Sequence, residues 1–587
     1  MLPKYKWAEI QADDGAVSDL VRSLGLSAPV ARVLVARGVA TPEAADTFLH
    51  PELNKHLGDP FAFPGARAAA ERLWDAIGNG RDIVVFGDFD ADGVAATTVL
   101  TTALRRLGGR ADAFLPVREP EGYGLTFAAL ERCRSEHGGW PALLVTVDCG
   151  IGSVAEVAYL NAQGVEVIIT DHHEPGTELP QAAVLVNPQL GASPGAEHLC
   201  GAGVAFKVAH AMAELGKANG WYGGEPFCGE LLTPVGLATV ADVVPLTGEN
   251  RVFVTAALKH WNRFAGEGLR ALLSRAAGQV PEELDTHLFG FVLGPRINAA
   301  GRMGSAMDAY ELLTTRDRQR AAELATKLEG FNGERRGVES RMLAAARLQC
   351  GLNEQTAGTF GEAAVVVHGD EGWHPGVLGI VAARLSDAAA RPAAVVAFGK
   401  SKAGRGSVRA GEGYHAVEAL AAASEALAGF GGHARAAGFQ IKPDCFERFK
   451  ELFCAACAGQ AAANGGAQTL QVDGWLEAEQ ISLALYREQQ RLAPFGIGNP
   501  APRWGLRGVA LERVQPMGQS GEHMQLLFRV APGCTLRGVW FRNGSATEAV
   551  RTAGGRVDVV FELRQNGFGG EPAAELQVVD LAPARVP

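Results

Sequence analysis

Four short motifs hold residues that could do chemistry together. GDFDADG (87–93) carries Asp88, Asp90 and Asp92, and VDCG (147–150) carries Asp148. TDHHEP (170–175) carries Asp171, His172 and His173, and TVADVVPL (239–246) carries Asp242. Carboxylates brought together without cations repel one another and resist ionisation. No lysine or arginine lies within any of these motifs, so bound divalent metals are the natural neutraliser. A ligand set of carboxylates with one or two imidazoles suits Mn2+ or Mg2+ better than a thiolate-rich zinc site, and histidine tilts it toward Mn2+. Two such ions roughly 4 Å apart can activate water and stabilise the leaving oxygen of a phosphodiester. Taken singly, each piece has a plainer reading. A lone Asp after a strand is usually a turn or a helix cap, and Cys149 reads as a small buried residue.

The elements around these motifs give the joint reading its weight. IVVF (83–86), ALLVTV (142–147), VEVIIT (165–170) and AVLV (183–186) read as buried strands alternating with helical stretches such as GVAATTVLTTALRRLG. That alternation predicts βαβ units in a doubly wound parallel sheet. Three of the four motifs follow a predicted strand, and ligands of open parallel sheets bind beyond the carboxyl ends of the strands. Residues 1–60 look helical and carry no chemical motif. No proline occurs between Pro295 and Pro375, and the stretch rich in Ala, Leu, Glu and Arg near 312–350 predicts a long helix between two domains. A second α/β pattern holds AAVVVH (363–368) and AAVVAF (393–398), GQAAANGGAQ (459–468) reads as a linker, and MQLLFRV, LRGVWF and VDVVFEL predict a small C-terminal β-barrel. The limits expected are 1–60, 61–315, 316–355 for the connecting helix, 356–460 and 468–587.

A chain of 587 residues exceeds one core, so several domains are expected. With 47% hydrophobic and 20% charged residues it can bury enough apolar surface to exclude large-scale disorder. The net charge of −11 argues only weakly against nucleic acid, because a metal site concentrates carboxylates. The N-terminus MLPKYKWAEIQADDG has no apolar h-region, and no apolar run reaches about 18 residues, so neither a signal peptide nor a membrane span is expected. Nine scattered cysteines fit a reduced, cytoplasmic setting, and the lone CxxC of Cys454 and Cys457 sits in a helical run and reads as helix packing.

At the acidic motifs the sequence resembles the DHH phosphoesterase superfamily and, within it, the RecJ single-strand exonucleases. The resemblance continues through ADVVPLTGENR, GPRINAAGRMG (294–304), HPGVLGIVAARL (374–385), GSVRAG (406–411), GFGGHARAAGF (429–439) and APFGIGNPAP (493–502). It covers roughly residues 60–587. It implies a DHH domain, a smaller α/β DHH-associated domain joined by a long helix, and a C-terminal OB-fold. It also implies metal ligation by Asp90, Asp92, Asp148, His172 and Asp242, with Asp88 joining them or supporting them from behind. His173 would contact the scissile phosphate or assist proton transfer, and Asp171 would orient the histidines. Phe89 stands where the family often has tyrosine, which leaves the carboxylates intact.

Residues 391–409 hold Arg391, Lys400, Lys402, Arg405 and Arg409 with no acidic residue, and glycines that let a backbone approach phosphate. A solvated basic loop is the plainer alternative. GKS at 399–401 is not a P-loop, because position 394 is alanine. By resemblance, Ser407 and Arg409 with Arg118 form a 5′-phosphate pocket, and Gly431, Gly432 and His433 belong to the second domain's phosphate-binding surface. Tyr123 could stack on a base, with a turn residue as the alternative. Arg296, Asn298 and Arg302 of RINAAGR could grip backbone phosphates, against the alternative of structural ion pairs for the arginines.

The combined expectation is a single-stranded-DNA exonuclease, 5′ to 3′, using two Mn2+ or Mg2+ ions and releasing 5′-mononucleotides in repair and recombination. A channel between the two α/β domains would admit one strand. Polarity and product come from the resemblance alone, as do a helicase and a single-strand-binding protein as partners of a monomer. Two rivals stay open. One is a hydrolase of the same superfamily acting on oligoribonucleotides or cyclic dinucleotides, and the other is a catalytically silent strand-binding scaffold.

Overall fold

The computed structural model describes residues 3, 5–218, 220, 227–281, 283–352, 361–370, 372–399, 403–464, 469–518, 521–553, 555–566 and 571–584. The chain folds as two compact units. One comprises His50–Arg336 with Pro494–Pro500, and the other Met1–Leu49, Gly337–Ala493 and Ala501–Pro587. Among the described residues, no helix is long and apolar enough to cross a membrane.

The chain opens with strand β1 (Lys6–Glu9), which the sequence reading of an all-helical start missed. It pairs in parallel with β12 (Thr469–Val472), and Trp7 Nε1 donates to Asp580 Oδ2 at 2.7 Å. A strand of four residues whose partner lies far along the chain leaves no local pattern to read.

The first unit is built on five parallel strands: β2 (Asp82–Phe86), β3 (Arg110–Phe114), β4 (Leu143–Val147), β5 (Glu166–Thr170) and β6 (Val184–Val186), in the order β3-β2-β4-β5-β6. Alternate residues of each strand feed opposite faces. Val85, Val145 and Ile168 pack with the helices Ala66–Gly78, Ala91–Arg106 and Gly201–Ala218, while Val84, Leu144 and Ile169 pack with Phe127–His137 and Val154–Ala162. This is the expected doubly wound sheet.

In the other unit, β7 (Val365–Gly369), β8 (Ala393–Phe398), β9 (Gly404–Arg409), β10 (Leu427–Gly432) and β11 (Ala436–Ile441) form a mixed sheet in the order β10-β11-β9-β8-β7. Only β7 and β8 are parallel. The basic stretch at 404–409 is thus an interior strand and not a solvated loop. The long helix runs Arg318–Cys350. The expected linker is helical through its first half, since Phe446–Asn464 continues unbroken. After β13 (Gly474–Trp475), the strands β14 (Arg503–Met517), β15 (His523–Ala531), β16 (Cys534–Trp540), β17 (Arg556–Gln565) and β18 (Ala574–Pro583) close into a five-stranded barrel through the β14–β17 pairing.

Candidate metal centre

The parallel sheet delivers the acidic motifs to one end. Asp88 and Asp90 follow β2, Asp148 follows β4, and Asp171 and the two histidines follow β5. Asp90 caps the Ala91–Arg106 helix, its Oδ1 accepting from the N–H groups of Asp92 (3.0 Å) and Gly93 (3.1 Å). Asp92 is held by a second helix start, accepting from Gly201 N at 2.6 Å and Ala202 N at 2.8 Å. Helix N-termini suit such anions. Gly201 has to be glycine, because a Cβ there would lie 2.4 Å from Asp148 Cβ. Asp148 itself adopts a left-handed φ of 61°, a conformation that persists only where the surroundings enforce it.

His172 sits among three carboxylates. Its Nε2 is 3.2 Å from Asp148, 3.7 Å from Asp242 and 3.8 Å from Asp92. His173 is fixed by Asp171, whose Oδ1 lies 2.7 Å from His173 Nδ1 and accepts from both histidine backbone N–H groups. Asp171 Oδ2 accepts from Ile151 N at 3.0 Å. Asn187, buried after β6, donates to the His173 carbonyl at 3.0 Å. The sequence offered no sign of Asn187, because the contact depends on the β5–β6 pairing.

Three groups of ligand atoms lie within 4.8 Å of one another: Asp88, Asp90 and Asp148; Asp92, His172 and Asp242; and Asp148 with His172 and His173. Asp88 Oδ1 and Asp148 Oδ1 are buried without a hydrogen bond, so the donor set has open valence aimed at a cation. The electrostatics agree. Burial, then the charge of Asp90, pushes Asp88 up to about 8. Burial and mutual repulsion also raise Asp148 and Asp242. Asp92 rises through burial, against the opposing pull of His172. Burial lowers His172. Burial works against the His173 imidazolium, but its bond to Asp171 and that carboxylate's charge outweigh it and raise His173. Asp171 is lowered, because its bonds to His173 and Ile151 N overcome its own burial. The residues therefore fit divalent cations of the Mn2+ or Mg2+ kind, with Asp171 already neutralised by its neighbour.

The surrounding candidates divide. Tyr123, 55% exposed, places its hydroxyl 3.2 Å from His173 Nε2. Arg118 stacks 3.8 Å over the Phe89 ring, and its charge opposes the rise of Asp88. Arg296 is bonded to Glu329 (Nε–Oε2 2.6 Å) and to the Val292 carbonyl, the structural ion pair named as its alternative. The Asn298 side chain also turns inward. Its Oδ1 accepts from Ala91 N at 2.9 Å and braces the acidic loop. Arg302 is half-buried at the end of the same helix. Buried Lys207 and Glu249 form an ion pair at 2.9 Å that also holds Gly58, a feature the sequence reading passed over although GENR contains Glu249.

In the other unit, Arg405, Ser407 and Arg409 alternate along β9 and share one face. Arg409 donates to Ser407 Oγ at 2.9 Å, and burial lowers its pKa with no carboxylate opposing the shift. A Cβ on Gly379 of the Leu378–Ala389 helix would lie 2.7 Å from its guanidinium, so that glycine makes room for it. Gly431 and Gly432 end β10, and His433 N donates to Ala436 O in the hairpin to β11. Lys402 and Lys400 lie outside the described residues.

Residues 82–229 match the DHH family, N-terminal domain, 361–459 the DHHA1 domain, and 472–580 the RecJ OB domain. The single-stranded-DNA-specific exonuclease RecJ of Bacillus subtilis (strain 168) is 35% identical over 99% of this chain and 71% of its own length. The chain belongs to the RecJ family. The Thermus thermophilus RecJ is 36% identical over 92% of this chain and 75% of its own. Its crystal structure in complex with Mn2+ superposes with a TM-score of 0.82 at 31% identity, covering 99% of this chain and 80% of that one. The Mg2+ complex gives 0.77 at 29% identity, covering 99% of this chain and 79% of that one. As a RecJ member, the chain is a metal-dependent nuclease with the DHH, DHHA1 and OB architecture.

Proposed function

We propose that this chain degrades single-stranded DNA from the 5′ end, releasing 5′-mononucleotides with two Mn2+ or Mg2+ ions. The observation that carries the reading is the overlap of the three ligand groups at Asp148 and His172. Overlap of that kind suits two neighbouring cations, which Asp88, Asp90 and Asp148 on one side and Asp92, His172 and Asp242 on the other would hold. Ions held there would lower the pKa of a water and offset charge building on the phosphate oxygens. The protein's own groups do the rest. Asp171 keeps a proton on His173 Nδ1 and presents Nε2 as a hydrogen-bonding group toward phosphate, with Tyr123 beside it for a base to stack on. Ser407 and Arg409 offer a hydroxyl and a buried cation for a terminal phosphate. In this reading the phosphoesterase domain spans 61–315, the helix 316–355, the associated domain 356–460 and the OB-fold 468–587. The enzyme acts as a cytoplasmic monomer in repair and recombination. A helicase opens its duplex, and a single-strand-binding protein keeps the strand open.

The test is Mn2+-dependent cleavage of 5′-labelled and 3′-labelled single strands by wild type, metal-stripped protein and Asp148→Ala. Mononucleotides appearing first from the 5′ label, lost in both controls, are expected. Release from the 3′ label would reverse the polarity, and tight binding without cleavage would overturn the enzyme reading.

A further inference from the structure

APFGIGNPAP stands just ahead of the barrel in sequence, and no role has yet fallen to it. Its core, Pro494–Pro500, packs in the compact unit that holds the acidic cluster, although the chain on either side belongs to the other unit. Gly496 and Asn499 pair antiparallel (2.9 and 3.2 Å) around a tight turn, with Gly498 at φ 73°. The turn rests on the residues that follow Asp242. Leu246 N donates to Ile497 O at 2.7 Å. A Cβ on Gly496 would lie 2.7 Å from Leu246 Cδ1, and one on Gly498 3.0 Å from Pro245 Cβ. Fully buried Asn499 donates to Pro494 O at 2.8 Å, and Thr286 anchors Phe495 O at 2.8 Å. From the other side, buried Asn250 donates to Pro245 O at 3.0 Å and His198 O at 2.6 Å, and the chain from His198 runs into Gly201, which holds Asp92.

The clamped turn is a strained one. Asp242 follows a helix C-terminus, where the dipole disfavours a carboxylate. Val243 has φ 63°, which a β-branched residue resists. Such strain persists only where the surroundings impose it.

We propose that Pro494–Pro500 is a positioning strap for Asp242, holding its turn so that the carboxylate stays within reach of His172. The inference rests on the metal-centre reading. It makes a piece of chain bound for the barrel part of the scaffold of the phosphoesterase site.

The test uses the full chain with Asn499→Ala and Gly498→Val, read by Mn2+ calorimetry and by the electron-spin resonance of bound Mn2+. Loss of outer support typically weakens a metal site about 10–100-fold. A loss of that size is expected for one of the two ions, with kcat falling and the oligonucleotide KM unchanged. Adding Asn499→Ala to Asp242→Asn should then cost little more, because both act on one ligand. If Gly498→Val does not fold, Gly498→Ala replaces it, since alanine meets the same left-handed φ with a smaller, unbranched side chain against Pro245. Unchanged Mn2+ affinity in the strap variants, or effects that multiply with Asp242→Asn, overturns the strap. Wild type that binds no Mn2+ overturns the metal reading instead.

Discussion

The two α/β sheets carry their polar residues in different places. The parallel sheet puts Asp88, Asp148 and Asp171 beyond its strand ends, while the mixed sheet carries Arg405, Ser407 and Arg409 along the face of β9. The difference follows from the charges. Acids that must converge need strand ends and helix starts, whose free backbone N–H groups can hold them together, as the helix start at Gly201 and Ala202 holds Asp92. A lone cation needs only a stiff strand and a gap, which Gly379 supplies beside Arg409. The first arrangement stores repulsion, and the second stores little.

That contrast can be broken experimentally. The largest effect is expected where a buried charge in the parallel-sheet unit loses its partner. Glu249→Ala strands Lys207 and should cost about 3–5 kcal/mol in denaturant unfolding, whereas replacing both by apolar residues should restore most of it. A stability loss no greater than that of an average surface substitution would show the pair to be hydrated. Next, Asp171→Asn should lower kcat about 10–100-fold, as removal of a supporting carboxylate does, with the salt dependence of DNA binding intact. A matching change in KM would instead put Asp171 on the strand path. Arg409→Ala should do the reverse. It should weaken binding and reduce the salt slope by about one phosphate contact, with kcat at saturation nearly unchanged. An unaltered slope removes Arg409 from that path.

The last effect is a change of slope. In metal-free protein Asp88 is pushed up to about 8, above its unfolded value of about 4. The folded state then binds the extra proton, so stability falls as pH rises through that window and levels off above it. Asp88→Asn should flatten part of the fall in melting temperature measured between those pH values. An identical slope in the variant would show that Asp88 ionises normally.

The parallel sheet was legible because strands buried on both faces read as unbroken apolar runs. Edge strand β3, RADAF, was not, since its exposed side carries charge. Nor was β9, GRGSVR, whose inner face is mostly glycine, with Gly406 opposite Phe439. The strand-end acids stood out by type and position. Their supports did not. Asn298 meets Ala91 207 residues away, and Ile497 meets Leu246 through backbone atoms alone, so neither contact leaves a spacing to recognise. The Arg296–Glu329 pair was equally hidden, because Glu329 belongs to a separate helix.

The pairing of β1 with β12 has a consequence for synthesis. A ribosome that has made Lys6–Glu9 must add more than four hundred residues before that strand finds Thr469–Val472, and about another hundred before Trp7 finds Asp580. Until then the Trp7 indole N–H lacks its native acceptor, Asp580 Oδ2. The Lys6–Glu9 strand is therefore among the last parts of its sheet to settle, and a substitution within it acts on the final folding steps of the nascent chain.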